Sequence, residues 1–161
     1  MNVRTVLFLC SGNYYRSRFA EGLFNHLARE RAIAWRATSA GLKIDVTRKV
    51  NVGPLSRLTL DAFGHRKIAA GDPLPFPRQL TLEDLTSADL IIAMKEAEHR
   101  ALMRKNFPDW ENHVTYWHVH DLDKAPPEDT IRETETLVRA LFERLAAPRG
   151  EPVPALSSKA E

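Results

Sequence analysis

From Val3 to Leu9 the chain is dense in apolar and β-branched residues, and past Cys10 it gives way to the polar segment Ser11-Gly12-Asn13. A dense apolar run without alternation reads as a strand buried on both faces, the situation in a parallel sheet. From Arg16 the period changes. Phe19, Leu23, Phe24 and Leu27 recur at three- and four-residue intervals, with Ala20 and Ala28 beside them, so a helix is predicted to about Arg31. A buried strand that turns within a few residues into an amphipathic helix points to the α/β class, where ligands sit beyond the carboxyl ends of the strands.

The remaining chain repeats that alternation. Ala34 to Ser39 predicts a second strand stopped by Gly41, Asp89 to Met94 a third, and Val114 to Val119 a fourth. Helices are predicted over Pro54 to Phe63, Thr81 to Leu85, Glu96 to Lys105, and from Pro126-Pro127 to just before Pro148. Thr81 opens its helix with Glu83 and Asp84 in the first turn, as the macrodipole favours. The last helix carries Ile131, Thr134, Leu137, Val138, Leu141 and Leu145 on one face. The 161 residues suit one core, expected over residues 1–147, with a Pro-, Ala- and Ser-rich tail over 148–161 expected to be disordered. Gly71 to Pro77 contains three prolines and reads as an extended connection.

The chemistry is concentrated where the first strand meets its helix, in Cys10-Ser11-Gly12-Asn13-Tyr14-Tyr15-Arg16-Ser17. A cysteine and an arginine at this spacing arise by chance in roughly one chain in ten; requiring Gly12, Asn13 and Ser17 as well makes it about one in tens of thousands. The residues between Cys10 and Arg16 can curl so that successive backbone N–H groups point inward, forming a nest for a tetrahedral anion. Gly12 and Asn13 suit left-handed backbone in such a loop. The helix beginning near Arg16 adds its positive end, and Arg16 offers a planar fork to two phosphate oxygens. Those fields favour a thiolate at Cys10, the form a nucleophile requires, and Ser17 can donate to the sulfur. The formal net charge is only +2, so an anion must be gripped by local groups rather than by a global field.

With these residues the sequence resembles the low-molecular-weight protein tyrosine phosphatases, whose loop reads Cys-x-Gly-Asn-x-Cys-Arg-Ser. The likeness extends over about residues 3 to 146, through Ser39-Ala40-Gly41, Arg78-Gln79-Leu80-Thr81 and Ala88-Asp89-Leu90-Ile91-Ile92-Ala93-Met94. It implies a single-domain three-layer α/β fold, with a four-stranded parallel sheet in the order 2-1-3-4 and helices on both faces. It also implies hydrolysis of phosphate monoesters, phosphotyrosine on proteins above all, through a phosphocysteine intermediate and without a metal or cofactor. Carried over by position, Cys10 is the nucleophile, Arg16 the phosphate clamp and Ser17 the thiolate stabiliser. Asn13 and Ser39 brace the loop, and Ser11, Gly12, Asn13, Tyr14, Tyr15 and Arg16 surround the phosphate.

The general acid of the family is an aspartate followed by proline after the last strand. Here the region reads Val119-His120-Asp121-Leu122-Asp123 and the proline is missing. Asp121 stands at the family spacing and is the first choice, with Asp123 the alternative. Tyr15 replaces the second loop cysteine, so oxidised Cys10 lacks a neighbouring thiol partner. Tyr14 stands where relatives acting on phosphoarginine carry threonine, which favours an aryl phosphate. Tyr14, Tyr15 or Trp117 can wall the pocket. Lys95 stands where many relatives have an acidic residue, and would favour acidic phosphopeptides.

Cys10 is the single cysteine, which excludes an internal disulfide framework. With no apolar run long enough to span a bilayer or form a signal core, a cytoplasmic protein without membrane or nucleic-acid partners is expected. His113, His118 and His120 with Asp121 and Asp123 form a competing metal reading, which the phosphocysteine mechanism does not need. A phosphate- or phosphopeptide-binding module with little turnover is the alternative function. Arsenate reductase and protein arginine phosphatase are further alternatives, the former needing a relay of several cysteines.

Overall fold

Strand β1 (Arg4–Cys10) occupies the interior of the sheet in the computed structural model, which describes residues 2–148. It pairs in parallel with β2 (Trp35–Gly41), in register from Arg4 opposite Trp35 to Cys10 opposite Gly41. On its other side it pairs in parallel with β3 (Leu90–Ala93), and the short β4 (Thr115–Tyr116) completes the order β2-β1-β3-β4. Both the parallel sheet and the 2-1-3-4 order match the expectation.

Alternation along β1 divides the core. Val6, Phe8 and Cys10 face α1 (Arg16–Arg31), α3 (Arg57–Arg66) and α6 (Pro127–Ala146), meeting Phe19, Phe24, Phe63 and Phe142. Leu7 and Leu9 join the other cluster, with Leu85 of α4 (Leu82–Ser87) and Met103 of α5 (Glu96–Asn106). Residues one apart thus feed opposite layers, because side chains of a strand point alternately to the two faces. Cys10 is therefore placed at the carboxyl end of an interior strand, on the face that α1 covers.

Boundaries follow capping chemistry. The Thr81 hydroxyl accepts from the Asp84 amide while the Asp84 carboxylate accepts from the Thr81 amide, a reciprocal cap that starts α4. Ser56 caps α3, which begins at Arg57 rather than at Pro54. The one-turn α2 (Ile44–Thr47) and a 3-10 turn over Pro108–His113 are too short to carry an apolar period, and sequence reading missed both. The fourth strand is shorter than Val114 to Val119. Beyond Tyr116 the chain stays extended, with the Trp117 amide donating to Ala93 O and that of Val119 to Met94 O, but His118 meets Lys95 in an antiparallel bridge that ends the parallel ladder. Gly71 to Pro77 is a connection with neither helix nor strand, as expected, but it bends at Asp72 and Pro73 rather than staying extended, and Arg18 ties it down by donating to Pro75 O at 2.8 Å. Among the described residues no helix is long and apolar enough to cross a membrane. The tail expected over 148–161 lies outside them apart from Pro148.

Candidate active site

Between Cys10 and Arg16 five main-chain carbonyls are held outward by donors from outside the loop. Cys10 O accepts from the Leu42 amide, Ser11 O from Lys43, Tyr14 O from Ser56, Asn13 O from the Arg18 guanidinium, and Tyr15 O from the Thr59 hydroxyl. In a trans peptide the next N–H points opposite to the carbonyl. The amides of Ser11, Gly12, Tyr14, Tyr15 and Arg16 are thereby turned toward the inside of the loop. Asn13 reverses the chain at φ 47°, and its own amide donates to Cys10 Sγ at 3.2 Å. Gly12 has no positive φ, contrary to expectation; its value is space, since a Cβ there would come within 2.9 Å of Asn51 Nδ2.

The sulfur sits at the end of a directed chain of hydrogen bonds. Asn13 Nδ2 donates to Ser39 Oγ at 2.8 Å and to Ser17 Oγ at 3.1 Å. With that lone pair used, the Ser17 hydroxyl proton is free to point at Cys10 Sγ, 2.9 Å away. The Ser39 hydroxyl donates to Glu21 Oε2 at 2.8 Å, and Asn13 Oδ1 accepts from the Arg78 amide at 3.1 Å. Burial pushes the Glu21 carboxyl above its ordinary range, although Ser39 and Arg18 oppose the shift.

Arg16, the first residue of α1, is 2% exposed. It donates to Val119 O at 2.9 Å, to Glu98 Oε2 at 2.9 Å and to Asp121 Oδ2 at 3.4 Å. Burial opposes the charge, but Cys10, Glu98 and Asp121 together hold the guanidinium above its usual value. Glu98 is kept below the usual carboxylate range: burial pushes it up, and hydrogen bonding and charge from Arg16 outweigh that. Behind it lies His99, fully buried, whose pKa is pushed down to about 3 by burial and then by the Arg16 charge. The ring is neutral. Its Nδ1 accepts from the Lys95 amide at 3.0 Å, so Nε2 carries the proton and donates to Ser11 Oγ at 3.1 Å; Ser11 donates in turn to Glu98 Oε2 at 3.3 Å.

These groups open into a cavity of about 350 Å³ whose lining includes Cys10, Ser11, Gly12, Tyr14, Tyr15, Arg16, Asn51, Asp121, Leu122 and Asp123. The Tyr14 hydroxyl donates to Val52 O, tying the loop after α2 to the cavity wall. The Tyr15 hydroxyl faces away, donating to Pro127 O at 3.1 Å, and burial pushes its pKa up to about 12. Trp117 supplies no wall; it is buried on the sheet, its ring 5.9 Å from that of Phe8. Asp121 reaches Arg16 while its Oδ1 accepts from the Leu122 amide at 2.8 Å, a donor that a proline in place of Leu122 would remove. Asp123 lies exposed at the rim. Lys95 is buried rather than presented to a substrate, its Nζ 3.7 Å from Glu98 Oε1. Among the described residues no three His, Cys, Asp or Glu side chains are grouped to hold a metal ion.

The structure thus brings together Cys10, Asn13, Arg16, Ser17, Ser39 and Asp121. Sequence reading missed Glu21, Glu98 and His99. His99 and Met103 are the buried residues of α5, so a histidine on the core face of an amphipathic helix was the one available signal.

Known proteins resemble this chain in sequence and in fold. The sequence model of the low molecular weight phosphotyrosine protein phosphatases matches residues 5–150. A human low molecular weight phosphotyrosine protein phosphatase is 33% identical over 106 residues, 64% of this chain and 62% of that protein. The crystal structure of a low molecular weight protein tyrosine phosphatase from T. tengcongensis superposes with a TM-score of 0.73 at 27% identity, covering 88% of this chain and 99% of that one. An arginine phosphatase from Geobacillus stearothermophilus shares the fold at TM-score 0.70 and 23% identity, covering 88% of this chain and 92% of its own. With the family match running through nearly all of the described residues, the chain belongs to the low molecular weight phosphotyrosine protein phosphatase family.

Proposed function

We infer that residues 1–147 hydrolyse phosphate monoesters, phosphotyrosine on proteins first among them, with Cys10 as nucleophile. The observation that carries this reading is the outward anchoring of five loop carbonyls, which turns five amides inward beside Cys10 Sγ and Arg16. The Cys10 thiolate attacks phosphorus in line, forming the S–P bond as the P–O bond to the phenol breaks. Asp121 gives its proton to the departing oxygen. The Asp121 carboxylate then takes a proton from water, whose oxygen displaces sulfur from phosphorus and releases phosphate. Arg16 leaves Asp121 for two phosphate oxygens, while Ser17 donates to the sulfur as it becomes the leaving group. A thiolate nucleophile fits a reducing, cytoplasmic setting.

Hydrolysis of p-nitrophenyl phosphate in the presence of a chelator tests the reading: wild type turns over and Cys10→Ser does not. Asp121→Ala lowers turnover of poor leaving groups by about 100-fold and Asp123→Ala by less than about threefold. The reverse ranking reassigns the acid to Asp123. A binding module is the second reading, favoured by the contact of Asp121 with both Arg16 and the Leu122 amide; tight phosphate binding with no nitrophenol release would establish it. Tyr14, which narrows the cavity and holds Val52, favours a flat aryl ester over phosphoarginine. One cysteine cannot run the relay of an arsenate reductase.

A further inference from the structure

Large apolar side chains are unevenly exposed. Among the described residues Val3, Val46, Val50, Val52, Phe76, Leu82 and Leu122 are the exposed ones, and four of these, Val50, Val52, Phe76 and Leu122, lie at the cavity or beside it. Val50 and Leu122 line the cavity itself. Val52 is pinned beside it by Tyr14, and Phe76 lines an adjoining hollow of about 260 Å³ that shares Gly12 and Asn51 with the cavity. Val46 lies in a broader hollow continuous with that one through Ile44 and Arg48. Leaving valines this bare in water has no folding benefit, and a rim of them leading out of a reactive pocket marks a contact surface.

Charge on that side is predominantly positive. Lys43, Arg48 and Lys49 stand against the single carboxylate Asp45, and none of the four has an ion-pair partner among the described residues. Across the mouth lie Asp121 and Asp123, which repel anions. We propose that the groove from the cavity over residues 43–53 to Phe76 docks the polypeptide on one side of the phosphotyrosine, and that it selects acidic and aliphatic side chains there. This presumes the phosphatase chemistry above and names its substrate class. A phosphotyrosine ring that reaches Cys10 leaves its own main chain at the rim, so neighbouring residues must cross one of the two sides. The basic, apolar side attracts carboxylates and covers valines; the Asp121 side does neither. A concave path continuous with the cavity fits a peptide better than a flat lipid surface.

The test compares kcat/KM for phosphotyrosine peptides with Glu and Ile on one side of the phosphotyrosine, before or after it, against the same peptides with Lys and Ser. Wild type prefers one placement of Glu and Ile by about tenfold, equivalent to about 1.4 kcal/mol. Arg48→Glu/Lys49→Glu brings the ratio within twofold and leaves p-nitrophenyl phosphate hydrolysis unchanged. Equal rates on all peptides in wild type overturn the proposal. So does a parallel loss of peptide and p-nitrophenyl phosphate turnover in the variant. Co-sedimentation with phosphatidylserine vesicles, abolished by the same variant and without any peptide ranking, assigns the patch to a membrane instead. If wild type hydrolyses nothing, the phosphatase reading fails, and the dissociation constants of the same peptides decide the groove: the same ranking upholds docking and a flat one overturns it.

Discussion

The Asn13 side chain donates to Ser17 and Ser39 and accepts from the Arg78 amide, while its main chain takes the left-handed turn that carries its amide to the sulfur. Few residue types tolerate that backbone, and fewer bring both a donor and an acceptor with them. His99 plays a comparable part behind Arg16, holding Ser11 as a neutral donor. Its pKa of about 3 lies below the unfolded value, so the folded protein excludes a proton that the unfolded chain takes up. The stability this group contributes is complete above about pH 6.5 and is lost as the pH falls toward 3. Urea denaturation of wild type is expected to lose about 1 kcal/mol per pH unit below about pH 6 on this account. In His99→Leu that component of the slope disappears; identical slopes would mean that His99 is not held neutral.

Elements meet the site through close approaches. Helix α1 supplies Arg16 and Ser17, and it lies close against α3 at Gly22, where a Cβ would come within 2.3 Å of the Phe63 ring. Phe63 is 4% exposed and stacks on Phe19 at 5.8 Å, so it has little freedom to yield. Gly22→Ala gains roughly 1 kcal/mol of helix propensity and loses about 2–3 kcal/mol to overpacking. A net loss of about 1–2 kcal/mol is expected in thermal or urea unfolding, with Tm lowered. A stabilised variant would show that α1 and α3 can separate freely. Short elements were the least legible in the sequence: α2 is a single turn, yet with the residues following it, it forms one side of the cavity.

At the scale of the whole molecule, the parallel sheet brings the ends of β1, β2 and β3 to one edge, where Cys10, Ser39 and the start of α5 meet. An anion that binds only the folded protein stabilises it by mass action. Inorganic phosphate at about 100 times its dissociation constant is expected to add about 2.7 kcal/mol, and to raise Tm by roughly 5–10 °C. Arg16→Ala is expected to abolish the shift, as measured by calorimetry. A shift that survives in this variant would place the bound phosphate elsewhere.

Cys10, Asn13, Arg16 and Ser17 were legible as one constellation because the loop that holds them is a local structure: contiguous residues at a strand–helix junction supply the sulfur, the reversal of the chain and the cation. The alternation of strand and helix periods likewise carried the class of fold, since each period reports a face that must be buried. The partners of those groups were decided in three dimensions. Arg16 meets Glu98 across 82 residues of chain, Ser11 meets His99 across 88, and Asn13 meets Ser39 across 26. No periodicity encodes such pairs, because burial is a property of faces, whereas the orientation of a buried polar group is set by whichever donor or acceptor the packed elements bring within about 3 Å of it.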